Sequence, residues 1–276
     1  MKNKLTLYVL SSLIVIGFSI SNTYAQSAFA GFYGQVSTGY ESNKLGNPTG
    51  STTEVPNNSG DDVLSYGTSQ NFGGAPFVMG LGYYWQLNSS WLLGLGADYS
   101  ALSQTTSPMS YNITNAPGNS AIPNGTTATA SGETVKLSNR FNLFISPAYV
   151  IDKGKLVYIK AGYSQVSVNR NAFTSFTASA NGSSITTPLS GGPSQSSNQS
   201  GYLIGLGYRQ IITSGLYGFI EVNYMGYSAP SFSWTRQQNR IEDLTNGKIT
   251  DVKTTSKINY GSLNDYQLLI GLGYAF

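Results

Sequence analysis

The chain has 276 residues, 15 Lys and Arg against 12 Asp and Glu, and charged residues make up only 10% of it. The formal net charge of +3 is too small for the basic footprint of a nucleic-acid binder. With no Cys and no His, a disulfide framework, a thiolate zinc site and every Ser-His or Asp-His catalytic arrangement are excluded.

The N-terminus reads as an export signal. Lys2 and Lys4 form a positive start, Leu5 to Ile20 is apolar with a few hydroxyls, and Thr23-Tyr24-Ala25 supplies small residues where a signal peptidase cuts. Cleavage is expected after Ala25, leaving a near-neutral domain over 26–276. A retained anchor is the alternative, but the apolar run is short of the roughly 20 residues a spanning helix needs.

Beyond Gln26 the sequence alternates between two textures. Eight segments, at about 30–41, 75–87, 91–103, 135–151, 155–167, 200–211, 216–228 and 263–276, are aromatic, Gly-rich and periodic in two, the pattern of strands with two different faces. The connections alternate between tight turns, at 88–90, 152–154 and 212–215, and long polar stretches, at roughly 42–74, 104–134, 168–199 and 229–262. An eight-stranded antiparallel up-and-down sheet then carries all its tight turns at one end and all its long loops at the other. Transmembrane barrels show this asymmetry, with short periplasmic turns and long extracellular loops. The first three long loops are low-complexity and expected to be mobile. In the fourth, Asn246-Gly247 between alternating segments signals a β-hairpin extending the last two strands, with a solvated charged loop as the alternative. Pro147 cannot donate to a ladder and is expected to mark a bulge or a frayed end.

One strand face is apolar and aromatic; the other is Gly, polar or charged. Phe32 and Tyr40, Phe77 and Trp85, Trp91 and Tyr99, and Phe141 and Tyr149 each stand eight residues apart on the apolar face, as do Tyr266 and Tyr274. Eight residues of tilted strand climb roughly 20 Å, close to the roughly 25 Å apolar band of an outer-membrane barrel with its two aromatic girdles. The polar face carries Asp98, Arg140, Lys160, Arg209 and Glu221. Enclosed in a narrow barrel these are expected to form a charge network, Asp98 with Arg140 at similar height, with a transport path or catalytic cluster as the alternative. Inward glycines are expected to make room for Tyr84, Phe144, Tyr158, Tyr217 and Phe219.

The final strand carries Tyr266, Leu268, Ile270, Leu272, Tyr274 and Phe276 at alternate positions and ends in an aromatic. It resembles the C-terminal assembly signal of outer-membrane proteins. Together with the export signal and eight strands, it makes 26–276 resemble the OmpA/OmpX/opacity-type barrel superfamily. The resemblance implies a cell outer-membrane location, contact with outer-membrane lipid and lipopolysaccharide, pairing of the last strand with the assembly machinery by β-augmentation, and a monomer. No further domain is expected after Phe276. The superfamily holds many functions, so membership does not choose one.

Enzymes of this barrel class depend on a His base, which this chain lacks. No phosphate-cradling loop or EF-hand spacing occurs, no cofactor or metal ligand set is evident, and Asp98 and Glu221 lie on distant strands with no acid–base pairing implied. The expected role is therefore non-enzymatic: a structural and surface protein presenting extracellular loops. A narrow porin-like channel and a loop-mediated adhesin or receptor are the alternatives.

Overall fold

The computed structural model describes residues 27–55, 63–118, 122, 124–188, 193–243 and 248–276, with the backbone alone described at 54–55, 236–243 and 248–252. The expected export signal and the Asn246-Gly247 turn lie outside the described residues.

Eight long strands form a closed ring: β1 (Gly31–Leu45), β2 (Phe77–Gln86), β3 (Trp91–Ser100), β4 (Thr126–Asp152), β5 (Lys155–Asn171), β6 (Gln195–Thr213), β7 (Leu216–Tyr227) and β8 (Leu263–Ala275). Each pairs antiparallel with the next. The ring closes when β8 returns to β1, from Tyr33 opposite Ala275 to Leu45 opposite Leu263. Closure satisfies the backbone polar groups within the sheet and leaves no edge, a condition for strands to lie in hydrocarbon.

The tight turns are held locally. Asn88 Oδ1 accepts from the amides of Ser90 (2.9 Å) and Trp91 (3.0 Å). Asp152 Oδ1 accepts from the Gly154 amide at 2.9 Å. Gly215 takes φ of +83°, a conformation glycine adopts without a Cβ penalty.

Pro147 neither bulges nor frays its strand. It stays in register opposite Leu93 of β3, while pairing with β5 lapses between Tyr158–Ala148 and Ala161–Ile145 with no shift. The missing donor is absorbed as a gap on one side of the strand. The register shifts of this pair fall elsewhere, between Lys155 and Leu156 and between Gln165 and Ser167; near the second, Asn139 has φ of +51°.

The first three long connections, expected as low-complexity loops, are not structureless where they are described. They contain further strands, and β4, β5 and β6 run past their expected ends on the same side. The hairpin of Ser231–Asp243 with Lys248–Asn259 is present, and its second arm pairs with Thr49–Val55. The ladder continues to Val63–Gly67, Met109–Asn115 and the upper part of β4. From there it passes to Ser175–Ala180 and Ser183–Pro188. A second sheet therefore stands on the rim of the barrel. Cross-strand partners supply what sequence-local propensity lacked.

Burial alternates along the barrel strands with the apolar side chains outside. Leu81 and Ile270 are 67% and 64% exposed, whereas Lys160 and Arg209 are 1% exposed. A protein dissolved in water would strand its hydrophobic residues this way at great cost; in lipid the arrangement is the favourable one. No helix among the described residues is long and apolar enough to cross a membrane; the crossing is made by strands.

Candidate functional site

The barrel interior is filled in layers. Toward the short turns, Phe29, Tyr33, Tyr84, Leu92, Leu156, Tyr158, Tyr217 and Phe219 form one buried cluster. Toward the long loops, Leu45, Val135, Leu137, Val166, Val168, Leu203, Met225 and Leu263 belong to a second. Inward glycines make the space for the large rings. A Cβ on Gly94 would meet Tyr84 at 2.6 Å, one on Gly207 would meet Tyr158 at 2.2 Å, and one on Gly273 would meet Tyr217 at 2.3 Å. Gly96 and Gly271 stand in the same relation to Phe144 and Phe219.

The five charges singled out from the sequence all lie inside, 4% exposed or less. Lys160 of β5 reaches Asp98 of β3 and Glu221 of β7, each at 2.8 Å. Glu221 also accepts from Tyr158 (2.7 Å) and Asn223 (2.7 Å). Asp98 and Glu221, distant along the chain and around the ring, are thus brought to one ammonium, because side chains span a lumen this narrow.

Arg140 does not pair with Asp98. Register sets Asp98 opposite Asn142 and Arg140 opposite Ser100. Arg140 crosses the lumen to Glu41, holding both carboxylate oxygens at 2.6 and 3.0 Å, and to Asp265. Its Nε donates to the Tyr227 hydroxyl at 3.0 Å, and Gln267 donates to Glu41 at 2.8 Å. Such bidentate, hydrogen-bonded pairs are the form in which buried charge is tolerated.

Among the described residues, Arg209 has no carboxylate partner. Its guanidinium lies 4.2 to 5.3 Å from the ring centres of Tyr33, Tyr217, Tyr158 and Tyr84, and Nη2 donates to Gln35 at 2.9 Å. Ring quadrupoles supply the negative potential a carboxylate would otherwise provide.

The aromatic girdle residues point outward. Across β3 and β4, Tyr99 stands opposite Phe141 and Trp91 opposite Tyr149, the latter two rings edge-to-face at 5.3 Å. Phe32 packs on Tyr83 at 4.8 Å, and Tyr83 on Trp85 at 4.9 Å. Tyr40 and Phe77 are also exposed. On β8, Tyr266, Leu268, Ile270, Leu272 and Tyr274, followed by Phe276, share the outer face.

Sequence reasoning missed a buried ion pair above the barrel. Glu133 and Arg170 are completely buried, with Arg170 Nε donating to Glu133 Oε2 at 2.6 Å. Tyr111 donates to Glu133 Oε1 at 2.5 Å, and Tyr260 donates to the same oxygen. Arg170 stacks on Trp234 (4.3 Å) and Phe173 (5.4 Å). Both charged residues fell in segments read as loops. The available signal was the period-two run Val166, Val168, Arg170, which continues β5 beyond the expected end. Burial raises the phenols of Tyr111 and Tyr260 far above the ordinary tyrosine range, and the neighbouring Glu133 adds to this. Among the described residues no group of three or more carboxylates could hold a metal.

A closed antiparallel barrel, apolar outside and filled inside with paired charge and aromatic rings, defines a transmembrane β-barrel protein. No protein-family model matches the chain, and no curated protein does. Among solved structures the chain is similar to the attachment invasion locus protein Ail of Yersinia pestis, in complex with the heparin analogue sucrose octasulfate, at 12% identity over 86% of this chain and 99% of that one (TM-score 0.33). It is similar to the outer membrane protease OmpT of Escherichia coli at 13% identity over 93% and 100% (TM-score 0.40). It is likewise similar to the outer membrane protein OprG of Pseudomonas aeruginosa at 11% over 90% and 96% (TM-score 0.43). At these identities the likeness concerns the fold alone.

Proposed function

We propose that the chain is an integral outer-membrane protein with a structural and surface role, holding a sheeted extracellular platform on a barrel that conducts no solute. The observation that carries this reading is the filled interior. Arg140, Lys160 and Arg209 each cross the lumen, and apolar layers lie toward both ends of it. Eight-stranded barrels are just wide enough for side chains to fill. On this reading the role is not enzymatic, since no His is present to act as base, and the ring closes within one copy, as a monomer. Lipid and lipopolysaccharide contact the outer band, and the last strand carries the assembly signal.

Planar-bilayer recording of the refolded barrel tests the proposal: no stable single-channel steps are expected, and reproducible steps would replace it with the porin-like reading. A loop-mediated adhesin is the second reading, favoured by the sheet that organises the long connections. Deleting the 231–259 hairpin should then reduce binding to host cells or matrix; unchanged binding removes support for adhesion at that element.

A further inference from the structure

Among the described residues, the buried ion pairs are made by arginine with one exception, Lys160. A guanidinium stays protonated and is no nucleophile, whereas an ammonium that gives up a proton becomes an amine with a free lone pair. Lys160 Nζ stands 2.8 Å from Asp98 Oδ2 and 2.8 Å from Glu221 Oε1. All three side chains are buried, and the centre of the Phe144 ring lies 4.1 Å from the same nitrogen.

The two carboxylates are held differently. Glu221 is fixed by Tyr158 and Asn223 besides Lys160. Asp98 has Lys160 alone, and its Oδ1 is buried with no hydrogen-bond partner. An ionised carboxylate left half-bonded in a water-poor interior is costly. Glu221 is thus placed to carry protons, and Asp98 is an electrophile held against a nucleophile.

We infer that Lys160 and Asp98 condense to an amide in the folded barrel, cross-linking β3 to β5, with Glu221 as the proton relay. The ion pair is the state in which the barrel closes, and the amide follows from it. Nζ hands a proton to Glu221 and attacks Asp98 Cγ. The Nζ–Cγ bond forms and the Cγ–Oδ2 bond breaks. Oδ2 leaves as water with two of the three ammonium protons, and Glu221 ends unprotonated, as it began. Nothing is oxidised or reduced. Fixed contact supplies the effective concentration that a free amine and acid lack. Condensation also removes one positive and one negative charge from the interior. Glu221 keeps a counter-charge in Arg209 through Tyr158, whose hydroxyl donates to Glu221 and whose ring centre lies 4.8 Å from the guanidinium. The inference rests on the filled interior of the structural reading; bilayer recording reads that interior, and mass reads the bond.

The test weighs the full chain intact, first unfolded in urea, then after refolding into lipid vesicles, incubation and renewed denaturation. The unfolded chain should have its full sequence mass, and the refolded chain should be lighter by one water. Trypsin should then leave Lys160 uncut and release a branched fragment joining residues 45–136 to residues 156–170. Asp98→Asn should lose one ammonia in place of water. Glu221→Gln should slow the loss at least about a hundredfold, and Lys160→Arg should abolish it. Full mass in refolded, heat-modifiable wild type, a water loss that persists in Lys160→Arg, or conversion of Glu221→Gln at the wild-type rate would each overturn the inference. Should Lys160→Arg not fold, the presence or absence of the branched fragment in the wild type decides.

Discussion

Lys160 shows how charge is carried inside the wall. Its ammonium serves two carboxylates at once, Asp98 and Glu221. Lys160→Met should leave both buried without a counter-charge and cost about 3–5 kcal/mol, read as a lower urea midpoint in a detergent or lipid refolding assay. Neutralising all three, as Lys160→Met with Asp98→Asn and Glu221→Gln, should recover much of that loss. Gly207 tests packing at the same scale. An added Cβ would lie 2.2 Å from the Tyr158 ring, so Gly207→Ala should destabilise by about 1–3 kcal/mol through overpacking. Above the barrel, Tyr111 and Tyr260 report on pH. Burial raises both phenols in the folded state, so their stabilisation is complete below the unfolded value near 10 and is lost as pH rises beyond it. In an alkaline titration followed by phenolate absorbance, these two should ionise only after the exposed tyrosines have done so. Replacing each with Phe should remove a late, cooperative component.

At the scale of the element, β8 and the fourth connection make different demands. Ile270 sits mid-strand on the lipid face, where an arginine costs about 2–4 kcal/mol at the bilayer midplane. Ile270→Arg should therefore lower the yield of folded, heat-modifiable barrel. The hairpin of Ser231–Asp243 and Lys248–Asn259 is pinned at its base by Phe232 opposite Ile258, both buried. Phe232→Ala should cost about 3–5 kcal/mol locally, seen as faster proteolysis within the hairpin while the barrel keeps its gel migration. The alternation announced this hairpin and the eight barrel strands. It did not announce the shorter strands of the other connections. Segments such as Ser175–Ala180 have weak propensity of their own and become strands because β4 offers them an edge.

For the whole molecule, period-two alternation, eight-residue aromatic spacing and the strict alternation of short and long connections determined the architecture without coordinates, because each is a local property of a strand lying between lipid and an enclosed interior. The inward placement of Asp98, Arg140, Lys160, Arg209 and Glu221 was equally legible, since a residue's parity along the strand sets its face. Which of them meet was decided only by closure of the ring. Arg140 lies near Asp98 along the wall yet pairs across the lumen with Glu41 and Asp265, and Asp98 joins Glu221 on Lys160, because a narrow barrel turns distance around the sheet into contact across it. The Glu133–Arg170 pair belongs to the same class: it exists where three of the long connections converge, and no window of consecutive residues contains that convergence.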